Sequence, residues 1–405
     1  MQQTNKVNIE FVALMASLMS MVALAIDALL PALSIIGHDV HTTQVADNKL
    51  LITMIFLGLG VGQLFFGPLS DSFGRKPVVY SGLVIFFIAS LICVSAESLT
   101  VIIIGRILQG IGLSAPRTVS ISIVRDTYSG NYMAKIMSFV TVIFILVPIV
   151  APALGKLILD IYDWKAIFYA QLVFAAIISF WFWKRQEETL KEKFRVKFSS
   201  HLFVDGIKEL IKFKETIAFT LVTGFITGAF LVYLSSSQQI FETQYGLVDE
   251  FPFIFAGLAI TAGLATFLNG NLVMKFGMRN LAFYALIGYT AVSFLYVIIF
   301  WSQPNPSVEV LIGFLAVQFF AIGFLFGNLR SIAMEPIGHI AGIGAAITGF
   351  IATMLSVPIG TLVGRFVTKT ALPVFIGFTV CGLISLTIFS IYKNKHTERT
   401  VVNSN

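Results

Sequence analysis

One carboxylic acid stands alone in the central parts of this chain's long apolar stretches. Asp27 lies about 18 residues into the run 9–36, toward its outer end. Arg106 falls in the outer half of a fourth run, Gln109 follows one helical turn on, and Arg117 comes eleven residues after Arg106. At about 100° per residue, that spacing brings both arginines to nearly the same face, three turns apart. Such a stripe can line a cavity. An ionisable group deep in a membrane span costs about 2.5–3.5 kcal/mol on insertion scales, so its presence there points to function. A carboxylate can take up and release protons, being favoured neutral where water is shut out and charged when wetted or beside a cation. Arginine stays protonated, yet its approach or withdrawal alters a carboxylate's proton affinity. The expected chemistry is proton coupling or cation recognition at Asp27, with Arg106 polarising the site through Gln109. The plainer readings are a helix-end cap beside Pro31 for Asp27 and a fixed interhelix hydrogen bond for Arg106. For Arg117, beside helix-bending Pro116, they are a cavity wall or an anchor toward the cytoplasmic side.

A second cluster sits in a short connection. Gly67 and Gly74 permit turn geometry there, and Asp71, Arg75 and Lys76 lie between and beside them. The acid can favour a neighbouring helix's positive end, and Arg75 can pair with it. Contacts made in only one orientation of a protein bias its conformational equilibrium; a merely topology-fixing basic loop is the alternative. A third, looser set is the polar patch Tyr233, Ser235, Ser236, Ser237, Gln238 and Gln239, with Asn269 and Asn271 closing another run and Gln318 and Asn328 in a third. A mostly apolar cleft with a few such groups suits amphipathic ligands, and interhelix hydrogen bonding is the competing use. His38 and His41 lack a third metal ligand nearby. Gly58-Leu59-Gly60-Val61-Gly62 lies inside an apolar run and reads as packing, and no phosphate-loop motif with Lys-Ser/Thr exists.

The elements that must position these residues follow from composition. Of 405 residues, 57% are hydrophobic and 12% charged, against about 25% charge in soluble domains. A water-soluble globule could not cover that much apolar surface. Disorder, nucleic-acid binding and a disulfide scaffold are excluded on the same grounds, and Cys93 and Cys381 read as core residues. A membrane-crossing helix needs about 20 mostly apolar residues. Twelve runs qualify, at roughly 9–36, 46–69, 76–96, 99–124, 134–159, 164–184, 216–240, 250–274, 280–301, 307–330, 340–366 and 371–392. None shows the alternation of a membrane β-barrel, and the first run is too long for a cleaved signal peptide, so it reads as a retained anchor. The expected fold is an all-α membrane protein of twelve transmembrane helices.

Roughly 20 of the 27 Lys and Arg residues fall on the side holding both termini and the even-numbered connections. They include Lys6, Arg75, Lys76, Arg125, Lys135, Lys197, Lys275, Arg279, Lys393 and Lys395, so both termini are expected in the cytoplasm. The longest connection mixes charges of both signs. It reads as a solvated tether, with Ile207, Leu210 and Ile211 spaced for a short amphipathic helix at the membrane surface. The expected organisation is a six-helix bundle over 1–184, a cytoplasmic linker over 185–215 and a second bundle over 216–405. The halves share a local pattern. Gly270, Leu272, Phe276 and Gly277 stand 203 positions after Gly67, Leu69, Phe73 and Gly74, and Arg279 keeps the cation of Lys76. Six plus six spans in parallel repeat is the plan of a large class of secondary transporters, with two bundles rocking about a mid-plane site.

Several stretches resemble a known family. Gly67-Pro68-Leu69-Ser70-Asp71-Ser72-Phe73-Gly74-Arg75-Lys76-Pro77 is similar to the loop signature of the major facilitator superfamily. Arg106-Ile107-Leu108-Gln109-Gly110-Ile111-Gly112 resembles the fourth-span signature of its proton-coupled members. Ile26 to Leu33, Val124-Arg125-Asp126 and Glu335 to Gly342 resemble the Bcr/CflA drug:proton antiporter branch. The resemblance implies a pseudo-twofold major facilitator fold and export of small amphipathic compounds or drugs in exchange for protons. It also implies a conformational latch at Gly67, Asp71, Gly74, Arg75 and Lys76, closed when the transporter faces outward. The fifth-span pattern departs: Ala151-Pro152-Ala153-Leu154-Gly155-Lys156 keeps one Pro and one Gly of the antiporter motif, and Lys156 replaces its last Gly. That keeps open a transporter, exporter or importer, dedicated to one metabolite or siderophore. A membrane-embedded enzyme lacks the converging His, Ser or acidic groups it needs. The expectation is a monomer in the bacterial inner membrane, whose partners are a small amphipathic substrate, protons and lipid. It would need no nucleic acid, no metal and no cofactor, the proton gradient being its energy source. Arg117, Tyr233, Ser237, Gln238, Asn269, Gln318 and Asn328 are the expected cavity-lining residues.

Overall fold

The computed structural model describes residues 8–42, 44–128, 130–195 and 201–402, with helices and no strand among them. Lys6 and Lys197 lie outside the described residues, as do the side chains of Lys135, Lys393 and Lys395. Helix is what an apolar chain in lipid must adopt, since no water is present to satisfy an open backbone. Among the described residues, eleven helical segments are long and apolar enough to cross a membrane. The expected run 134–159 falls in a 32-residue helix, Gly130–Ile161, within which Leu146–Leu159 is a shorter apolar segment. The chain divides into two compact units, Met1–Ser199 and Ser200–Asn405.

In the first unit the elements are α1 (Ile9–Asp27), α2 (Leu33–Asp39), α3 (Leu50–Phe73), α4 (Arg75–Val94), α5 (Leu99–Thr127), α6 (Gly130–Ile161) and α7 (Lys165–Arg185). The first span is not the continuous helix expected over 9–36. Pro31 has no amide to return to the Asp27 carbonyl, and the chain passes through a short 3₁₀ turn, Leu30–Ala32, before α2. At the break the Leu29 amide bonds Ile26 O at 3.3 Å, which turns it away from the Ala25 carbonyl it would meet in an unbroken helix.

Small residues set how closely the helices approach. A side chain at Gly58 of α3 would strike the Ile107 carbonyl, and one at Gly110 of α5 would strike the Ile55 carbonyl. The two backbones therefore touch, the usual way helices pack where lipid offers no hydrophobic drive. Gly110→Val should lower stability by roughly 1–3 kcal/mol through overpacking. It would read as a drop in the melting temperature of the detergent-purified protein, and an unchanged melt would contradict the contact. His38 and Asp39 end α2; His38 Nδ1 lies 3.7 Å from Asp39 Oδ1, and Trp164 Nε1 donates to Asp39 Oδ2 at 2.7 Å.

The second unit holds α8 (His201–Lys212), α9 (Lys214–Gln238), α10 (Phe251–Phe276), α11 (Met278–Phe300), α12 (Val308–Met334), α13 (Ala341–Gly364) and α14 (Leu372–Val402). A π turn, Gln239–Gln244, extends α9. The short helix expected around Ile207 is α8. It packs on α13, with Gly206 against Ile343 and Ile347 and Leu210 buried, while Ile207 and Ile211 stay exposed. The earlier part of the 185–215 stretch is bonded to the first unit through Glu188 and Thr189.

The repeat extends to side chains. Gly74 and Gly277 both take left-handed φ values, 105° and 76°, which glycine adopts without strain. Gln318 stands 209 positions after Gln109, and both amides reach the preceding helix. Gln109 Nε2 bonds Ser90 Oγ at 2.7 Å, and Gln318 Nε2 bonds Tyr289 O at 2.9 Å.

Candidate functional site

Asp27 is the last residue of α1, at the break that Pro31 imposes. Its side chain is buried and makes no hydrogen bond or ion pair among the described residues. Broken spans are where transporters commonly place ion and substrate groups.

Arg106 lies fully buried on α5 and ties three helices together. Its Nε donates to Leu51 O of α3 at 2.7 Å; its Nη1 donates to Ala25 O of α1 at 3.0 Å and to Gln109 Oε1 at 2.8 Å. Gln109 passes the chain on to Ser90 of α4, whose hydroxyl donates to Phe86 O at 2.8 Å. Arg106 and Gln109 are thus hydrogen-bonded, and the chain they begin runs to α4. The ion pair expected as one state of Asp27 and Arg106 is absent, because the guanidinium is committed to carbonyls, including the one freed two residues before Asp27. The remaining nitrogen, Nη2, is buried without a partner among the described residues. Arg117, on the same helix, is half-buried beside Pro116. In the second unit Leu315 stands 209 positions after Arg106 and is buried, so the helix junction closes there without a charge.

The charged cluster after α3 is more extensive than its local sequence shows. Arg75 is 2% exposed and pairs with Asp71 at 2.5 Å and with Asp126, at the end of α5, at 2.8 Å; its Nη1 also donates to Ser70 at 2.8 Å. Glu188, beyond α7, accepts from the Arg75 and Lys76 amides at 3.0 Å each and from the Leu190 amide at 2.9 Å. It caps the amino end of α4, where a negative charge meets unsatisfied N–H groups and the positive end of the helix dipole. Thr189 adds a bond to Asp126 at 3.0 Å. Gly67 is about one turn before this cluster, its carbonyl accepting from Ser70. Glu188→Ala should speed amide exchange at Arg75 and Lys76 about tenfold, a capping loss of roughly 1–2 kcal/mol. Unchanged exchange in a hydrogen–deuterium measurement would contradict the cap. The second unit repeats the theme, with Arg279 paired to Glu215 and, at 2.9 Å, to Glu335. Glu335 stands 209 positions after Asp126.

The polar residues expected to line a cavity differ in their partners. Tyr233, Ser237, Gln238, Gln318 and Asn328 are buried. Ser237 donates to Leu234 O at 3.0 Å, Gln238 to Glu242 at 2.7 Å and Asn328 to Asn269 at 2.7 Å. The Tyr233 hydroxyl and Gln318 Oε1 are buried without partners among the described residues. Of this set, Arg117 and Asn269 keep accessible surface. The local sequence carries no sign of the roles of Glu188, Asp126 and Ser90, whose partners lie far away along the chain. Arg330 is an exposed cation within α12, and an arginine inside an apolar run is a signal the sequence does carry. Gly155 packs on the Ala28 carbonyl, and Lys156 pairs with Asp160 one turn on. The departure in the fifth-span pattern therefore leaves its glycine contact intact and its lysine neutralised.

Comparison with known proteins gives a consistent picture. A family profile described as Major Facilitator Superfamily matches residues 14–348. The chain is 27% identical over 389 residues to a bicyclomycin resistance protein homolog of Haemophilus influenzae, covering 92% of this chain and 93% of that one. It is 25% identical over 372 residues to multidrug resistance protein MdtL of Klebsiella pneumoniae, covering 90% and 91%. Among solved structures, a D-xylose–proton symporter superposes with a TM-score of 0.72 at 16% identity, over 94% of this chain and 95% of that one.

Proposed function

The chain belongs to the Major Facilitator Superfamily, and from that premise we propose that it exports small amphipathic compounds across the inner membrane in exchange for protons. As a member it is an integral, multi-pass transporter and not an enzyme. One observation carries the finer reading: Asp27 is buried at the break of the first span with no fixed partner among the described residues. A carboxyl held that way can change its protonation as its surroundings wet and dry. Arg106 supplies a permanent positive charge two residues away along the backbone it grips, and its bonds tie α1, α3 and α5 together. The names of the relatives, bicyclomycin and multidrug resistance proteins, support the substrate class.

On this reading the bundles 1–184 and 216–405 alternate access as a monomer, with both termini cytoplasmic and no cofactor. The Asp71–Arg75–Asp126–Glu188 cluster latches one orientation. A proton crossing 100 mV and one pH unit releases about 3.7 kcal/mol, which drives export without ATP. The test is flux in everted membrane vesicles under an imposed pH step, with a panel of unrelated lipophilic drugs beside hydrophilic metabolites. Uphill, pH-dependent accumulation of several unrelated drugs is expected. Movement of a single metabolite, or flux indifferent to the pH step, would overturn the reading.

A further inference from the structure

The first unit contains a cavity of about 470 Å³ between α1, α6 and α7. It opens beside the point where Gly155 of α6 lies on the Ala28 carbonyl of α1. Its mouth is bordered by the exposed aliphatic side chains Val150 and Leu154, and its deeper wall includes Ser20, Ala151 and Gln171, all buried. Two of these wall residues are polar and unpaired. Gln171 is 3% exposed, and neither its Nε2 nor its Oε1 has a hydrogen-bond partner among the described residues; the Ser20 hydroxyl, also 3% exposed, has none among them either. Buried polar groups are almost always satisfied, and an orphaned one calls for an explanation.

The composition of the pocket indicates what would satisfy them. Small-molecule sites run to roughly 300–1,000 Å³, with apolar walls and a few convergent polar groups. A carboxamide presents an acceptor and a donor side by side in one plane. Its complement is another planar edge with adjacent donor and acceptor: an amide, lactam, urea or un-ionised carboxylic acid. Ser20 adds a hydroxyl that can serve either way. Among the described residues no charged one lines the cavity, and a charged ligand would be left uncompensated in it. We propose that this cavity is a binding site for a neutral, mostly apolar molecule carrying an amide-type edge, with Gln171 and Ser20 holding the edge and the aliphatic walls the body. The proposal goes beyond the exporter reading, because neither Asp27 nor Arg106 lines the cavity.

Photolabelling of the purified full chain in lipid nanodiscs tests it, using two diazirine probes of equal size: an alkylated lactam with a free N–H and the matching alkylated cycloalkane. The lactam should label peptides of α6 and α7 about tenfold more than the hydrocarbon, and unlabelled lactam should compete. Gln171→Leu, which replaces an unpaired polar group by an apolar one and so should fold, should erase the lactam preference. Ser20→Ala should reduce it, and Ala170→Trp, filling the pocket, should remove labelling by both probes. Equal labelling by the two probes in the wild type would leave only a lipid crevice and overturn the proposal. So would a lactam preference that survives Gln171→Leu, or labelling that survives Ala170→Trp in a protein of unchanged melting temperature.

Discussion

Asp27→Asn should abolish pH-driven accumulation while leaving passive exchange of substrate in place. The variant keeps the shape and the hydrogen-bonding edge of the side chain and removes only its ability to ionise. A wild type driven by one proton per substrate across 100 mV and one pH unit would have a ceiling of about 3.7 kcal/mol, a gradient of several hundredfold. The variant should sit at a ratio near unity. Proteoliposomes read both quantities, uphill uptake under a pH step and counterflow without one. Loss of both would mark Asp27 as part of the packing at the Pro31 break, and retention of both would leave it without a transport role.

Arg106→Leu should lose transport by about a hundredfold or more, roughly 2.7 kcal/mol of function, while remaining folded. The second unit supplies the reason, since Leu315 fills the position 209 residues on and the Gln318 bond to α11 closes that junction alone. Some stability should go, because the Ala25 carbonyl, whose helical donor has turned to Ile26, loses the guanidinium. One broken bond of this kind costs roughly 1–3 kcal/mol. Arg106→Lys should fail as well, as a single ammonium cannot reach Leu51 O, Ala25 O and Gln109 Oε1 in their three directions. Thermal unfolding read beside counterflow separates these effects. A variant that does not fold would make Arg106 a structural tie, and one transporting at the wild-type rate would remove it from the mechanism.

Much of the architecture is legible from residue order because lipid imposes a simple rule: about 20 apolar residues make a span, and breaks fall at Gly, Pro and charge. The same rule exposes Asp27 and Arg106, since a lone charge in an apolar run has few innocent explanations. The twofold plan is visible in Gly67 and Gly270, and it deepens in the structure to Gln109 and Gln318. What stays hidden is partnership across long separations. Nothing near Glu188 says that it caps a helix 113 positions earlier, and nothing near Arg106 says that its partners are backbone carbonyls. Pro31 signals a break, but the reassigned Leu29 amide that hands the Ala25 carbonyl to Arg106 is a consequence of three-dimensional geometry. Ser237 and Gln318 read equally well as cavity wall or interhelix bond, and only the structure separates their partners: Gln318 reaches Tyr289 O of the preceding helix, while Ser237 turns back on Leu234 O of its own. Gln171 carries no signal at all: one glutamine in an apolar helix looks like any other until both its atoms are found unpaired.

The account rests on a proton bound at Asp27 that substrate displaces. Proton release on substrate binding, measured with a pH dye in weakly buffered solutions of the purified protein, addresses this most directly, using a compound from the vesicle screen. The wild type should release up to about one proton per substrate bound, and Asp27→Asn none. Equal release from both proteins would place the proton on another group and contradict the account.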